Sequence, residues 1–178
     1  DPENGEVKRY SLEEGTRTAN LVDDAKDMVW CTGHENGRIV KLNPATGKLT
    51  TFMMPDPAVK DPHTMTFDKH GDAWFTAQNS GDIGKLTQAN GKIRLWPMEK
   101  GSRPYGIWLD SHDQPWFDLF GTNKLGTIDP KTMAFKAIPL PNDRTRPRRI
   151  AITGDDIIWY GDYTRGFLGK VDPKTGAV

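Results

Sequence analysis

Three residues with usable chemistry recur at one place in the chain. His63, Tyr105 and Arg148 each directly follow a proline, and those prolines, Pro62, Pro104 and Pro147, lie 42 and 43 residues apart. A neutral imidazole can serve as a base or a ligand near physiological pH. A guanidinium can clamp an anion with two parallel hydrogen bonds. A second set of polar residues follows four tryptophans: His34 and Glu35 after Trp30, Gln78 and Asn79 after Trp74, Asp118 and Asn123 after Trp116, and Asp162, Tyr163 and Arg165 after Trp159. The His34-Glu35 pair suits a metal or a polarised substrate, and equally an ordinary surface loop. In the basic run Arg144-Thr145-Arg146-Pro147-Arg148-Arg149, strand alternation sends Arg148 and Arg149 to opposite sides. That leaves Arg146 and Arg148 to meet an anionic ligand, or the run to form a solvated loop with ion pairs. His70 and His112 sit in polar turns and are expected in solvent.

The elements that must position these residues are repeated. The anchors Trp30, Trp74, Trp116 and Trp159 are separated by 44, 42 and 43 residues. Nine positions after them come Ile39, Ile83, Leu125 and Leu168, and seventeen positions after them Gly47, Gly91, Met133 and Gly176. Each copy reads as four short strands. The first alternates apolar residues, as in Met65 and Phe67 or Ile107 and Leu109; the second carries the tryptophan; a glycine- or asparagine-rich loop and then a Pro-to-Gly turn lead into the third and fourth. A unit of about 43 residues built from four strands and repeated in tandem signals a β-propeller, and a sandwich does not explain such constant spacing. The predicted blades cover about 18–52, 62–97, 104–140 and 147–178, with an N-terminal outer strand at 5–12. Because Asp1–Val7 aligns with Asp172–Val178, the chain holds four repeats. It is expected to be part of a larger ring of six or seven blades, with further blades or a second copy pairing at its open edges.

In such a ring the first strand of each blade lines the central channel, and the loops after the tryptophans open on the face where that strand begins. Loops on a rigid scaffold commonly carry function. A small molecule in the channel is therefore the expected ligand, with His63 as base or as a water-bound channel residue. The tryptophans, with Phe75, Phe117 and Tyr160, read as packing between blades. The chain has 178 residues with 24 Lys+Arg against 24 Asp+Glu, so it lacks the basic excess of a nucleic-acid or acidic-membrane binder. No apolar run is long enough for a membrane-spanning helix. One cysteine, Cys31, excludes an internal disulfide. No leader is visible at Asp1, as would also hold for a trimmed chain, and the compartment stays open between cytoplasm and periplasm or exterior.

The stretches Ala73-Trp74-Phe75-Thr76 with Ile83-Gly84-Lys85-Leu86, Pro115-Trp116-Phe117 with Asn123-Lys124-Leu125-Gly126, Arg103-Pro104-Tyr105-Gly106-Ile107, and Phe167-Leu168-Gly169-Lys170-Val171 resemble the virginiamycin B lyase (streptogramin lyase) family over essentially the whole chain. The resemblance implies a seven-bladed bacterial antibiotic-resistance lyase. Such an enzyme opens a cyclic depsipeptide by eliminating across its ester with Mg²⁺. It implies a Glu-x-His pair in one post-tryptophan loop, which none of the four loops here contains. At the glutamate's position only Asp162 is acidic, so the resemblance makes Asp162 the candidate Mg²⁺ ligand and catalytic residue beside His63. Tyr105, Arg148, His34, Asn79 and Arg165 are then the substrate-binding candidates. A divalent-metal lactone hydrolase and a non-catalytic binding propeller remain as alternatives; carboxylates converging on the axis with Asp162 and Asn79 or Asn123 would favour the hydrolase.

Overall fold

Alternating apolar patterning produces fifteen strands and no helix among the described residues of the computed structural model, which are residues 2–178. Asp1 lies outside them. The first blade consists of β1 (Arg17–Asp23), β2 (Val29–His34), β3 (Arg38–Leu42) and β4 (Leu49–Met53); the second of β5 (Pro62–Phe67), β6 (Ala73–Ala77), β7 (Asp82–Thr87) and β8 (Lys92–Pro97). The third holds β9 (Pro104–Leu109), β10 (Pro115–Leu119), β11 (Lys124–Ile128) and β12 (Phe135–Pro139), and the fourth β13 (Pro147–Ile152), β14 (Ile158–Asp162) and β15 (Phe167–Val171). Every sheet is an antiparallel meander with its strands in chain order, as a propeller blade requires.

The expected outer strand at 5–12 does not form. An outer strand exists by pairing with the third strand of its own blade, as β4 does with β3 and β8 with β7. No ladder joins 5–12 to β15, so the fourth sheet has three strands and the ring stays open. Tyr10 nevertheless lies beside Gly47, where an added Cβ would stand 3.5 Å from its ring, as Phe52 lies beside Gly91 in the next repeat, 3.3 Å from such a Cβ. Met133, the one exception in that glycine row, adopts the same left-handed backbone, at φ 61°.

Blades meet through one recurring joint. Trp30 and Ile39 pack with Met65 and Phe75, Trp74 and Ile83 with Ile107 and Phe117, and Trp116 and Leu125 with Ile158 and Tyr160. Each joint therefore combines the anchor and its ninth follower in one blade with the aromatic after the anchor in the next. Leu168, the equivalent ninth follower in the fourth blade, is 72% exposed, and Leu21, the first blade's equivalent of Met65 and Ile107, is 68% exposed. The anchors are held from behind by a shared aspartate. Asp24, Asp68 and Asp110 accept the indole N–H of Trp30, Trp74 and Trp116 at 2.9, 3.4 and 3.1 Å. The other oxygen of each carboxylate accepts the two turn amides that join the first and second strands. In the fourth blade Thr153 takes this place and bonds Asp155 instead.

The aromatic after each anchor needs room, and glycine supplies it. Phe75, Phe117 and Tyr160 face Gly84, Gly126 and Gly169 across the strand pair. A Cβ on any of these glycines would fall inside the facing ring. The first blade inverts the arrangement, with the small Cys31 opposite the larger Val40. Volume is conserved across the pair, which is the substitution pattern a packed core tolerates best. Gly84→Val should therefore destabilise the protein by about 1–3 kcal/mol or more, as overpacking does. The double variant Phe75→Cys/Gly84→Val, copying the first blade, should recover part of that loss. Denaturant titration of both single variants and the double variant checks this; strictly additive losses would show that the two positions are not coupled.

Candidate functional site

Two rows of the repeat converge at one end of the channel. The residues after the inner-strand prolines are His63, Tyr105 and Arg148, with Ala19 at the same place in the first blade. The residues four positions after the anchors are His34, Gln78, Phe120 and Tyr163. Arg17, Thr18, Ala19, His34, His63, Gln78, Tyr105 and Arg148 surround an open recess of about 290 Å³. The His63 ring lies 4.4 Å from that of Tyr105 and 5.9 Å from that of His34, centroid to centroid. The Arg148 guanidinium sits over three aromatic rings, 4.5 Å from Tyr163, 5.1 Å from Tyr105 and 5.5 Å from Phe120. Rings of this kind hold a cation in place while leaving its N–H groups free for a ligand.

The backbone explains why the inner strands present these residues. In all four blades the pairing of the inner strand shifts register just after its start, between Thr18 and Leu21, Pro62 and Met65, Pro104 and Ile107, and Pro147 and Ile150. Such a bulge re-aims side chains. It also corrects the expectation that Arg148 and Arg149 diverge. Arg149 lies 4.6 Å from the Tyr105 ring and bonds Tyr105 Oη at 3.5 Å and Thr64 Oγ1 at 3.4 Å, so both arginines flank the same tyrosine.

The remaining candidates lie elsewhere. Arg146 spends its guanidinium on the Asp143 and Thr145 carbonyls. Asp162 is buried and accepts hydrogen bonds from Thr145 Oγ1 at 2.9 Å, Arg146 N at 3.2 Å and Arg165 N at 3.3 Å, with the Arg165 guanidinium 3.9 Å away. Burial raises its pKa, but these donors outweigh burial and hold it below the ordinary carboxylate value. Arg165 itself lies over the Phe167 ring. Asn79 is exposed and its backbone N–H caps Asp61. Asn123 donates to the Leu140 and Asn142 carbonyls. Glu35 pairs with Arg17 at 2.9 Å. His70 and His112 are exposed turn residues, as expected. Asp162, Asn79 and Asn123 thus do not converge.

These residues do not fit a Mg²⁺ site. The ion takes oxygen ligands, and Asp162 has both oxygens engaged by protein donors beside a guanidinium. Among the described residues no three His, Cys, Asp or Glu side chains group closely enough to hold a metal. Sequence reasoning overlooked Phe120 and Arg149. Phe120 was readable from the row four positions after the anchors; Arg149 was hidden by the bulge.

Fold and recess together define a class: a β-propeller with a cation-and-aromatic pocket at one mouth of its channel. The chain belongs to the virginiamycin B lyase family, whose model matches residues 2–178. A selenomethionine-substituted virginiamycin B lyase from Staphylococcus aureus superimposes with a TM-score of 0.88 at 26% identity, over 98% of this chain and 58% of that one. A catalytically inactive virginiamycin B lyase from the same organism, with quinupristin, gives 0.80 at 24% identity, over 94% and 60%. Hydrazine synthase of Kuenenia stuttgartiensis shares the fold at 0.79 and 13% identity, over 97% and 51%. The chain thus spans less than two thirds of the length of these proteins. No curated protein matches it in sequence.

Burial, reinforced by Arg149 and His34, pushes the His63 imidazole down to about 4. The unfolded value is about 6.5, so the unfolded chain binds the extra proton first, and stability is lost as pH falls from about 6.5 to about 4. His63 should titrate near pH 4 by NMR, and His63→Gln should lose less stability than wild type across that window. A midpoint above about 6 would contradict this environment.

Proposed function

We propose that this chain is part of a small-molecule lyase propeller and that its four blades supply the wall that grips a cyclic ester or depsipeptide. The observation that supports the reading is the convergence of His63, Tyr105, Phe120, Tyr163 and Arg148 at one recess. Aromatic faces suit the apolar and aromatic side chains of such a peptide, and Arg148 suits its ester carbonyl. In an elimination a base removes the proton next to the leaving group, the C–H electrons form the new double bond, and the ester C–O electrons leave on a carboxylate. His63 is neutral at working pH and is the base candidate on this face. Arg148 is the cation that takes up the carboxylate's charge. Asp162, Asn79 and Arg165 have no part in this reading.

One observation favours a second reading, a non-catalytic binding propeller: none of the four post-tryptophan loops contains Glu-x-His. Calorimetry with quinupristin and a turnover assay on the same samples separate the two. Arg148→Ala and Tyr105→Ala should each weaken binding about tenfold, the size of one lost charge-assisted or cation–π contact. His63→Ala should slow turnover more than it weakens binding. Binding without turnover by wild type favours the second reading. No binding by wild type, or equal binding by wild type and both wall variants, overturns the assignment of this face.

A further inference from the structure

Two residues after the anchors stand Thr32, Thr76 and Asp118. In the first two blades one hydroxyl performs two tasks. Thr32 Oγ1 accepts the Asn20 N–H at 3.1 Å and donates to the His63 carbonyl of the next blade at 2.7 Å. Thr76 Oγ1 accepts the Thr64 N–H at 3.2 Å and donates to the Tyr105 carbonyl at 2.8 Å. Each hydroxyl ties its own inner strand to the next one, at the residue that faces the recess. A carboxylate can accept but has no proton to donate.

Asp118 is fully buried; its Oδ2 accepts the Gly106 N–H at 2.9 Å, while its buried Oδ1 has no hydrogen-bond partner. The charged groups that face it are Arg148 and Arg149 from β13, and β9 turns the backbone amides of Gly106 and Tyr105 towards it. Neither arginine forms an ion pair with it: Arg149 bonds Thr64 and Tyr105, and Arg148 lies over the aromatic rings. Gly106 makes space for the longer side chain, since a Cβ there would stand 2.6 Å from Asp118 Oδ2 and 3.3 Å from Arg149 Cα. The next carbonyl in the series His63, Tyr105 belongs to Arg148.

We propose that Asp118 is a neutral carboxylic acid that donates from Oδ1 to the Arg148 carbonyl, a positioning residue that fixes the fourth inner strand so that Arg148 faces the recess. The role given to Arg148 rests on the proposed function; the protonation state does not. Burial supports it by pushing the Asp118 carboxyl well above the usual range, against the pull of the Gly106 and Tyr105 amides and both arginines. The sign follows from that direction. The stability contributed by the proton is complete below the unfolded value of about 3.9 and is lost as pH rises through the folded value.

The test uses the full chain, with Asp118→Asn as an amide donor, Asp118→Thr as the solution of the other blades, and Asp118→Val as a side chain that cannot bond. The infrared difference between wild type and Asp118→Asn at pH 6 should show a protonated carboxyl band. Asp118→Asn and Asp118→Thr should melt near wild type at pH 5, and wild type should fall behind Asp118→Asn as pH is raised towards 9. Quinupristin affinity should survive in Asp118→Asn and drop about tenfold in Asp118→Val, the scale of one hydrogen bond to a misplaced group. An ionised carboxylate at pH 6, with parallel stability curves for wild type and Asp118→Asn, overturns the proposal. If Asp118→Val does not fold, the infrared band and the Asn and Thr variants decide. A carboxyl band without quinupristin binding would count against the proposed function and leave Asp118 as assigned.

Discussion

The recess exists because successive inner strands are tied together at the residues that line it. Thr32 and Thr76 reach from the tryptophan strand of one blade to the carbonyls of His63 and Tyr105 in the next. Each bond is made in a buried or half-buried setting, where an unmet carbonyl would cost about 1–3 kcal/mol. The tie therefore fixes the stagger of one blade on the next. Side chains one residue after the inner-strand prolines then fall beside each other rather than around separate stretches of channel. The ring contact between His63 and Tyr105 follows from that stagger.

Apolar packing supplies the rigidity behind the tie. Trp30 and Trp74 are enclosed by the next blade, by their aspartates and by long cations: Lys41 lies 4.9 Å over Trp30 and Lys85 5.1 Å over Trp74. Lys85 also bridges Asp68 and Asp72 at 3.0 and 3.2 Å, so the outer turn, the anchor and the third strand form one unit. The recess is built differently, from cations stacked on rings.

Much of this was legible in the sequence because the repeat samples each position several times. The anchors, their ninth followers and the proline-led inner strands all fall where the 43-residue spacing puts them. What the spacing could not show was pairing across strands. Cys31 looks like a lapse from the aromatic row until Val40 is seen opposite it, and Asp118 looks like a loop carboxylate until its burial is seen. The bulges defeated simple alternation at Arg149. Asp162 was singled out for its acidity, yet its oxygens cap the loop that carries it, a local role that residue type alone does not reveal.

The tie between blades is tested most directly by comparing wild type with Thr76→Val by NMR. This variant keeps the side-chain shape and removes the hydroxyl. Wild type should show close proton contacts between the His63 and Tyr105 rings and slow exchange of the Thr64 amide, which Thr76 Oγ1 accepts. The variant should lose the ring contact and exchange that amide faster while Trp30, Trp74 and Trp116 stay buried. An unchanged ring contact and unchanged Thr64 exchange would contradict the account, because the inner strands would then be aligned without the tie.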